Sequence, residues 1–318
     1  MKRLLPYVGP LVSIAIFTAA VAAILSMTQD ITVAEVRAAF AGTERGRLAA
    51  AVGCIAGVYA VLSSYDILAF RYIAVPLRLR RIMFASFIGN TLGMILGLSL
   101  LTGGSLRYRL YTRWGLTLTH VAAITAFGIS TLTLLLLLAS GSALLIDTGT
   151  FRFFPSLPPP ILRLLGVLLL VPVAGYLVAA AFFPRKRLVL FRRSFPVPTL
   201  PVALGQLGLA AAEVLLTGSA LFFLLPSLPG LPVVSFLGLY VLSQLVGFAS
   251  QTPGGLGSFD ATMLFLLLPF APKETIVASL LLFRILFSLL PLVTALLALS
   301  LYEHRHFRKN MRAQPSAA

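Results

Sequence analysis

An all-α, polytopic bundle of about eight membrane segments is the fold class predicted by three observations: an apolar composition, apolar runs of bilayer length, and basic residues gathered between them. Of the 318 residues, 59% are hydrophobic and 11% charged, with a mean hydropathy of +0.99. A water-soluble domain carries about 25% charged residues, so this chain cannot present a water-soluble surface over most of its length. The formal charge of +16 would point to nucleic acid in a soluble protein. Here no nucleic acid partner is needed, because the basic residues mark loops. Cys54 is the single cysteine, which excludes an internal disulfide framework and argues against a thiolate metal site.

A hydrocarbon core about 30 Å thick needs about 20 apolar residues at 1.5 Å rise per residue. Runs of that size fall at 7–27, 48–70, 82–102, 117–139, 161–183, 199–225, 233–250 and 275–300, with a shorter apolar piece at 259–270. The first run follows Lys2 and Arg3 and also fits a cleaved signal peptide, although it is nearer a full span than the roughly 7–15 residues of a signal core. Residues 30–47 set Ile31, Val33, Val36 and Phe40 among charges, as a short surface helix does. The run 82–102 contains Gly89, Asn90, Gly93 and Gly97, which weaken a continuous helix or else form a close-packing face. Residues 250–260, SQTPGGLGSFD, must break the helix, since Pro253, Gly254, Gly255 and Gly257 cannot continue it. Broken backbone at membrane depth is tolerated only where it is buried or lines a wet cavity. No period of 20–50 residues recurs, which excludes a solenoid.

Charge bias sets the expected topology, because cytoplasmic loops carry the excess of Lys and Arg. If all eight long runs cross simply, the basic clusters at 71–81 and 185–193 fall on opposite sides. Letting 82–102 enter and leave on the cytoplasmic side, and letting 259–270 complete a crossing, places five clusters inside. These hold 18 of the 25 basic residues, with six outside and Arg284 within a span. Both termini are then cytoplasmic. The division of the chain is a single membrane domain over 1–302 and a basic tail over 303–318.

Ionisable residues within spans are expensive and are candidate functional groups. Glu213 and Arg284 lie near mid-depth, where they could pair or face a wet cavity. Asp66, preceded by Ser63, Ser64 and Tyr65, is either interfacial or part of a polar face. Asp260 sits in the first turn of the helix that Ser258 could cap. His120 fits an interfacial position, and three histidines form no metal constellation. The segment 102–115, TGGSLRYRLYTRWG, alternates Arg107, Arg109 and Arg113 with Tyr108, Tyr111 and Trp114. Arginine suits bidentate phosphate binding and the aromatics suit the headgroup zone, so it reads as a phospholipid headgroup site or a basic anchor. With no HExxH and no serine with a convincing histidine partner an intramembrane hydrolase is the least expected class, and with so much of the chain in lipid no room remains for a soluble catalytic domain, so an enzyme is not expected.

FRYIAVPLRLRR, SFIGNTLG, GGSLRYRLYTRWG and PGGLG, in this order, resemble the transmembrane flippase part of the lysylphosphatidylglycerol synthetase family, the multiple peptide resistance factors. The resemblance covers about residues 8–300. It implies a bacterial inner-membrane protein that translocates a phospholipid such as lysylphosphatidylglycerol; the sequence departs from the full-length pattern in showing no soluble acyltransferase-like domain, so aminoacyl transfer is not expected, and no cofactor is expected. It also implies that Asp66, Arg107, Arg109, Glu213 and Asp260 match polar positions of that site, to which the burial of Arg284 adds a sixth. On this reading Arg107 and Arg109 hold the lipid phosphate, while Glu213, Asp66 and Asp260 receive ammonium groups. Gly89, Asn90, Gly93, Pro253, Gly254, Gly255 and Gly257 are the helix breaks lining the cavity. Candidate partners are a second copy of the chain and a separately encoded lipid aminoacyltransferase. The alternatives are translocation of another anionic lipid, phosphatidylglycerol or a polyprenyl phosphate, and a non-transporting anchor for that enzyme.

Overall fold

The computed structural model describes residues 40–95, 99–146, 158–184, 187–190, 193–250 and 257–313. Helices run α1 Arg45–Ile73, α2 Leu79–Ile95, α3 Ser99–Arg113, α4 Leu118–Ile146 and α5 Pro159–Phe182. An antiparallel ribbon, β1 Arg187–Leu190 with β2 Arg193–Pro196, leads to α6 Leu200–Leu224, α7 Val233–Ala249, α8 Ser258–Leu267 and α9 Lys273–Arg284. A π-helical turn, Ile285–Leu289, joins α9 to α10 Leu290–Ala313. The chain is thus the helical membrane bundle expected, with the ribbon as a small β addition. Among the described residues, five stretches are long and apolar enough to cross a bilayer: α1, α4, α5, α6 and the continuous Lys273–His304. The run 7–27 and most of the expected surface helix lie outside the described residues, while Arg45 and Arg47 already belong to α1.

Antiparallel packing of α1 and α6 forms the centre of the bundle. Near one end Arg47 Nη2 donates to the carbonyls of Phe222 and Leu225 at 3.1 and 2.5 Å, satisfying groups that the end of α6 leaves open. Near the other, Gly205 of α6 lies against Leu68 of α1. That second end gathers the basic residues. The Arg81 guanidinium stands over the Trp114 ring, Trp114 Nε1 donates to Tyr302 Oη at 3.1 Å, and Arg113 donates to Glu303 at 2.8 Å. The ribbon between α5 and α6 joins the same end, so the backbone of Arg187 and Arg193 shares one pole with the clusters around 71–81 and 107–113, as the charge pattern predicts. Outside this centre α5 exposes Leu164, Leu168, Val171, Val178 and Phe182, an apolar face suited to lipid.

Two short hairpins complete the bundle, the first over the stretch expected to enter and leave on one side. Helices α2 and α3 pack antiparallel from the basic end, and α7 and α8 do so from the opposite end, Ser250 meeting Ser258 and Ser243 meeting Met263. The expected crossing at 259–270 is therefore corrected. Helix α8 has 10 residues, about 15 Å at helical rise, and returns to the end from which α7 started. Crossing parity is unchanged, because a hairpin counts as none where two crossings were expected. Also corrected is the role of Gly89, Asn90 and Gly93, which lie inside the continuous helix α2 rather than at a break. The glycines permit contact instead: a Cβ built on Gly103 of α3 would stand 2.7 Å from the Gly89 carbonyl oxygen and 3.5 Å from Gly93 Cα. Backbones in van der Waals contact offset the poor helix propensity of glycine. Gly257 precedes α8 with φ of +79°; Pro253, Gly254 and Gly255 lie outside the described residues.

The two hairpins belong to an inverted repeat. Crossing helix α1, hairpin α2–α3 and crossing helix α4 are answered, in the opposite direction, by α6, hairpin α7–α8 and the span from α9 into α10. Helices α2 and α7 each have 17 residues; Leu79 and Val233, Ile95 and Ala249, and Arg113 and Leu267 are each 154 positions apart. In the central pair the offset is 148. Gly57 lies against Leu216 and Leu68 against Gly205, each at 3.1 Å from the glycine's built Cβ, and each residue's counterpart lies in the other contact. Reciprocal contacts of this kind define a pseudo-two-fold axis between α1 and α6. The halves are also interlocked, since α2 packs on α10 and α7 on α4.

Candidate functional site

Four of the six sequence-predicted ionisable residues meet inside the bundle, in pairs different from those expected. Asp66 is only 5% exposed, so it belongs to a polar network inside the bundle. It accepts from Arg107 Nε at 3.0 Å, Arg107 Nη2 at 3.1 Å and Tyr111 Oη at 3.0 Å. Arg107 Nη2 also donates to Asn90 Oδ1 at 2.8 Å, and Asn90 Nδ2 donates to Ser86 Oγ at 3.0 Å and to the Leu62 carbonyl at 3.3 Å. This closed network ties α1, α2 and α3 together. Expectation had set Arg107 on a phosphate and Asp66 on an ammonium; each instead neutralises the other, because the hairpin brings α3 back against α1. Sequence reading missed Tyr111 and Ser86 here, and took Asn90 for a helix break. The signal for Asn90 and Ser86 was one turn of helix separating two polar side chains.

The second pair is Arg284 with Asp260. Arg284 Nε donates to Asp260 Oδ1 at 2.8 Å and Oδ2 at 2.9 Å, and its Nη2 donates to Oδ2 as well. Asp260 Oδ2 also accepts from the Gly257 amide at 3.2 Å, so it caps α8 while binding the arginine. Gly257, rather than Ser258, stands at the cap. Arg284 lies 11 residues into the span from Lys273, about 16 Å by helical rise, and the π-helical turn follows it at once. Such turns concentrate at functional positions. Just beyond, Pro291 has no amide for the Phe287 carbonyl four residues back, and Tyr59 Oη donates to that carbonyl at 2.9 Å.

Glu213 is therefore not paired with Arg284. Its Oε2 accepts from Tyr65 Oη at 2.5 Å, and it has no salt bridge with a basic side chain among the described residues. It stands 13 residues from Leu200 and 11 from Leu224, about 16–20 Å from either end of α6. Arg109 lies apart from these groups, near the basic end, where it and Arg113 share Glu303 at 3.3 and 2.8 Å. A further polar cluster was not anticipated. Gln206 is fully buried, donating to Thr131 Oγ1 at 2.6 Å and Ser130 Oγ at 3.3 Å and accepting from Tyr176 Oη. A lone amide in the apolar run of α6 was its only sequence signal. Among the described residues no group of three metal-ligating side chains occurs.

No family model matches the chain. It is 31% identical to protein slr0712 of Synechocystis sp. over 279 residues, 87% of this chain and 86% of that one. It is 31% identical to the inner membrane protein YbhN of Escherichia coli over 281 residues, 86% of this chain and 85% of YbhN. It is also 25% identical over 312 residues to the phosphatidylglycerol lysyltransferase of Staphylococcus haemolyticus, aligning 95% of this chain with 35% of that enzyme. Extent and identity together, on a bundle with five candidate spans, place the chain as a membrane-embedded member of the family that includes YbhN and slr0712.

Proposed function

We propose that the chain is a lipid translocase of the bacterial inner membrane, moving an aminoacylated phosphatidylglycerol such as lysylphosphatidylglycerol between leaflets. The observation that carries this reading is the set of charges at membrane depth beside two hairpins inserted from opposite ends. Moving a charged headgroup through hydrocarbon is costly, and a transporter lowers that barrier by offering polar groups along the path. Asp66 with Arg107, and Asp260 with Arg284, each cancel, which leaves Glu213 as the acid without a basic partner among the described residues within the bundle. A headgroup bearing an ammonium supplies the missing positive charge.

The basic end is the cytoplasmic one on this reading. There Arg109 and Arg113 share one carboxylate, leaving a net positive charge beside Trp114 and the exposed Tyr108. These residues suit the lipid phosphate, a role that Arg107 gives up to Asp66. The distant likeness to a phosphatidylglycerol lysyltransferase supports an aminoacylated substrate. The arginine-rich end equally suits an unmodified anionic lipid, which is the second reading.

Purified protein in proteoliposomes tests both. A membrane-impermeant amine reagent reads outer-leaflet lysylphosphatidylglycerol, and a labelled phosphatidylglycerol reads the rival. Acceleration of the aminoacylated lipid over protein-free vesicles is expected. Acceleration of phosphatidylglycerol alone selects the second reading, and acceleration of neither removes both.

A further inference from the structure

We propose that Glu213 is a proton-exchange site, binding either a proton or the ammonium of the lipid and so coupling translocation to a proton gradient; this rests on the translocase reading. Glu213 is the counterpart of Tyr65 by the same 148-position offset that relates Gly57 to Gly205 and Leu68 to Leu216. A contact between a residue and its own counterpart lies on the pseudo-two-fold axis. The hydrogen bond from Tyr65 to Glu213 is such a contact. One carboxylate thus sits where the two halves meet, at nearly equal depth from both ends of α6.

Among the described residues no Lys or Arg forms a salt bridge with this acid. From α1 it receives the Tyr65 hydroxyl at 2.5 Å, and on α7 Tyr240 Oη accepts from Gln244 Nε2 at 2.7 Å. Tyr176 of α5, with Ser130 and Thr131 of α4, is engaged by Gln206, about two turns along α6. Arg284 of α9 is held by Asp260. An ionised carboxylate at this depth with neutral donors alone is unfavourable, so it must gain a cation or a proton. The two occupants exclude one another. When the ammonium arrives, the carboxyl proton leaves to water and the carboxylate pairs with the headgroup; when the headgroup departs, a proton from water replaces it. In an inverted repeat that opens alternately to each side, loading from opposite faces turns this exchange into antiport.

The test uses the full chain in proteoliposomes containing lysylphosphatidylglycerol and an entrapped pH-sensitive dye, with the membrane potential clamped at zero. Exchange of one proton shifts the leaflet ratio of the amine lipid by up to about tenfold per pH unit imposed, in opposite directions for opposite gradients. The dye reports protons moving against the lipid. In Glu213→Gln the ratio no longer responds to the gradient, while Glu213→Asp restores the response. If the wild-type chain accelerates amine exposure equally under either gradient, coupling is overturned and the translocase reading stands. If it accelerates exposure under none, both are overturned.

Discussion

The two inverted halves share a backbone plan but differ in how their charges are closed. In the first half the acid is Asp66 on the crossing helix and the base is Arg107 on the returning arm, with Asn90 between them. Gln244 is the counterpart of Asn90 in the second half. Glu213 lies one residue before the counterpart of Asp66, and Asp260 one residue before that of Arg107. Two acids therefore stand where the first half has an acid and a base. The second half takes its arginine from the last span, Arg284, and spends it on Asp260. What the difference teaches is that one scaffold holds a saturated polar network on one side and a surplus carboxylate on the other. The surplus lies at the interface of the halves, where a change in their packing acts on it.

The largest way to break the comparison is at the saturated network. Asp66→Ala leaves the Arg107 guanidinium buried without its counter-ion and is expected to cost about 3–5 kcal/mol, as loss of one partner of a buried ion pair does. Thermal or denaturant unfolding in detergent measures it. Replacing Arg107 by Met in the same chain recovers part of that loss, because the orphaned charge is gone. Additive losses in the double variant would show that the two residues do not act as a pair.

Asp260→Asn in the second half is expected to cost less, about 1.5–3 kcal/mol for loss of a charged hydrogen-bond partner. The Asp260 side chain is 25% exposed against 7% for Asp66, so water compensates part of the change. Equal losses at Asp66 and Asp260 would erase the distinction between a closed and an open half.

Much of this difference was legible in the sequence only as a list of acids. Asp66, Glu213 and Asp260 are conspicuous because apolar runs surround them. Their partners were not, because partner choice depends on hairpins that reverse the chain. Seen along the sequence, Arg284 and Glu213 share mid-depth, yet α8 carries Asp260 back to the arginine first. The first hairpin was legible from glycine and charge pattern, and so was a close-packing face among its glycines, while the choice of Gly103 as their partner required the folded backbone. The inverted repeat escaped because its period exceeds the range of ordinary repeats and its halves share geometry more than identity: Tyr65 answers to Glu213. Gln206 was passed over since a single amide has no sequence neighbour to form a motif.

Hairpin closure gives a third and smaller test. Gly103→Val places a side chain against the Gly89 carbonyl, where even a Cβ would stand at 2.7 Å, whereas Gly104 has nothing within 4 Å of its built Cβ. Overpacking at Gly103 is expected to cost about 1–3 kcal/mol. Gly104→Ala, inside the same helix, is expected to stabilise by up to about 1 kcal/mol through helix propensity. Opposite signs at adjacent positions, read by unfolding in detergent, separate close backbone contact from a general intolerance of this helix. If both changes destabilise alike, the glycines are not contact points.

The smallest expected effect lies where the halves meet at the basic end. Glu303, on the last helix of the second half, accepts from Arg113 at 2.8 Å and from Arg109 at 3.3 Å on the returning arm of the first. All three side chains are partly open to water, Glu303 at 27% and Arg113 likewise, so Glu303→Gln should change unfolding by no more than about 1 kcal/mol. The change also removes the negative charge held between two guanidinium groups at the proposed phosphate position. Retention of the protein by anionic over neutral lipid vesicles should therefore rise. That gain should shrink as ionic strength approaches about 1 M, where the screening length falls to about 3 Å. A large loss of stability would instead make Glu303 a structural clamp between the halves. An unchanged preference for anionic vesicles would remove Arg109 and Arg113 from lipid binding, and place the phosphate contact deeper, between the hairpins.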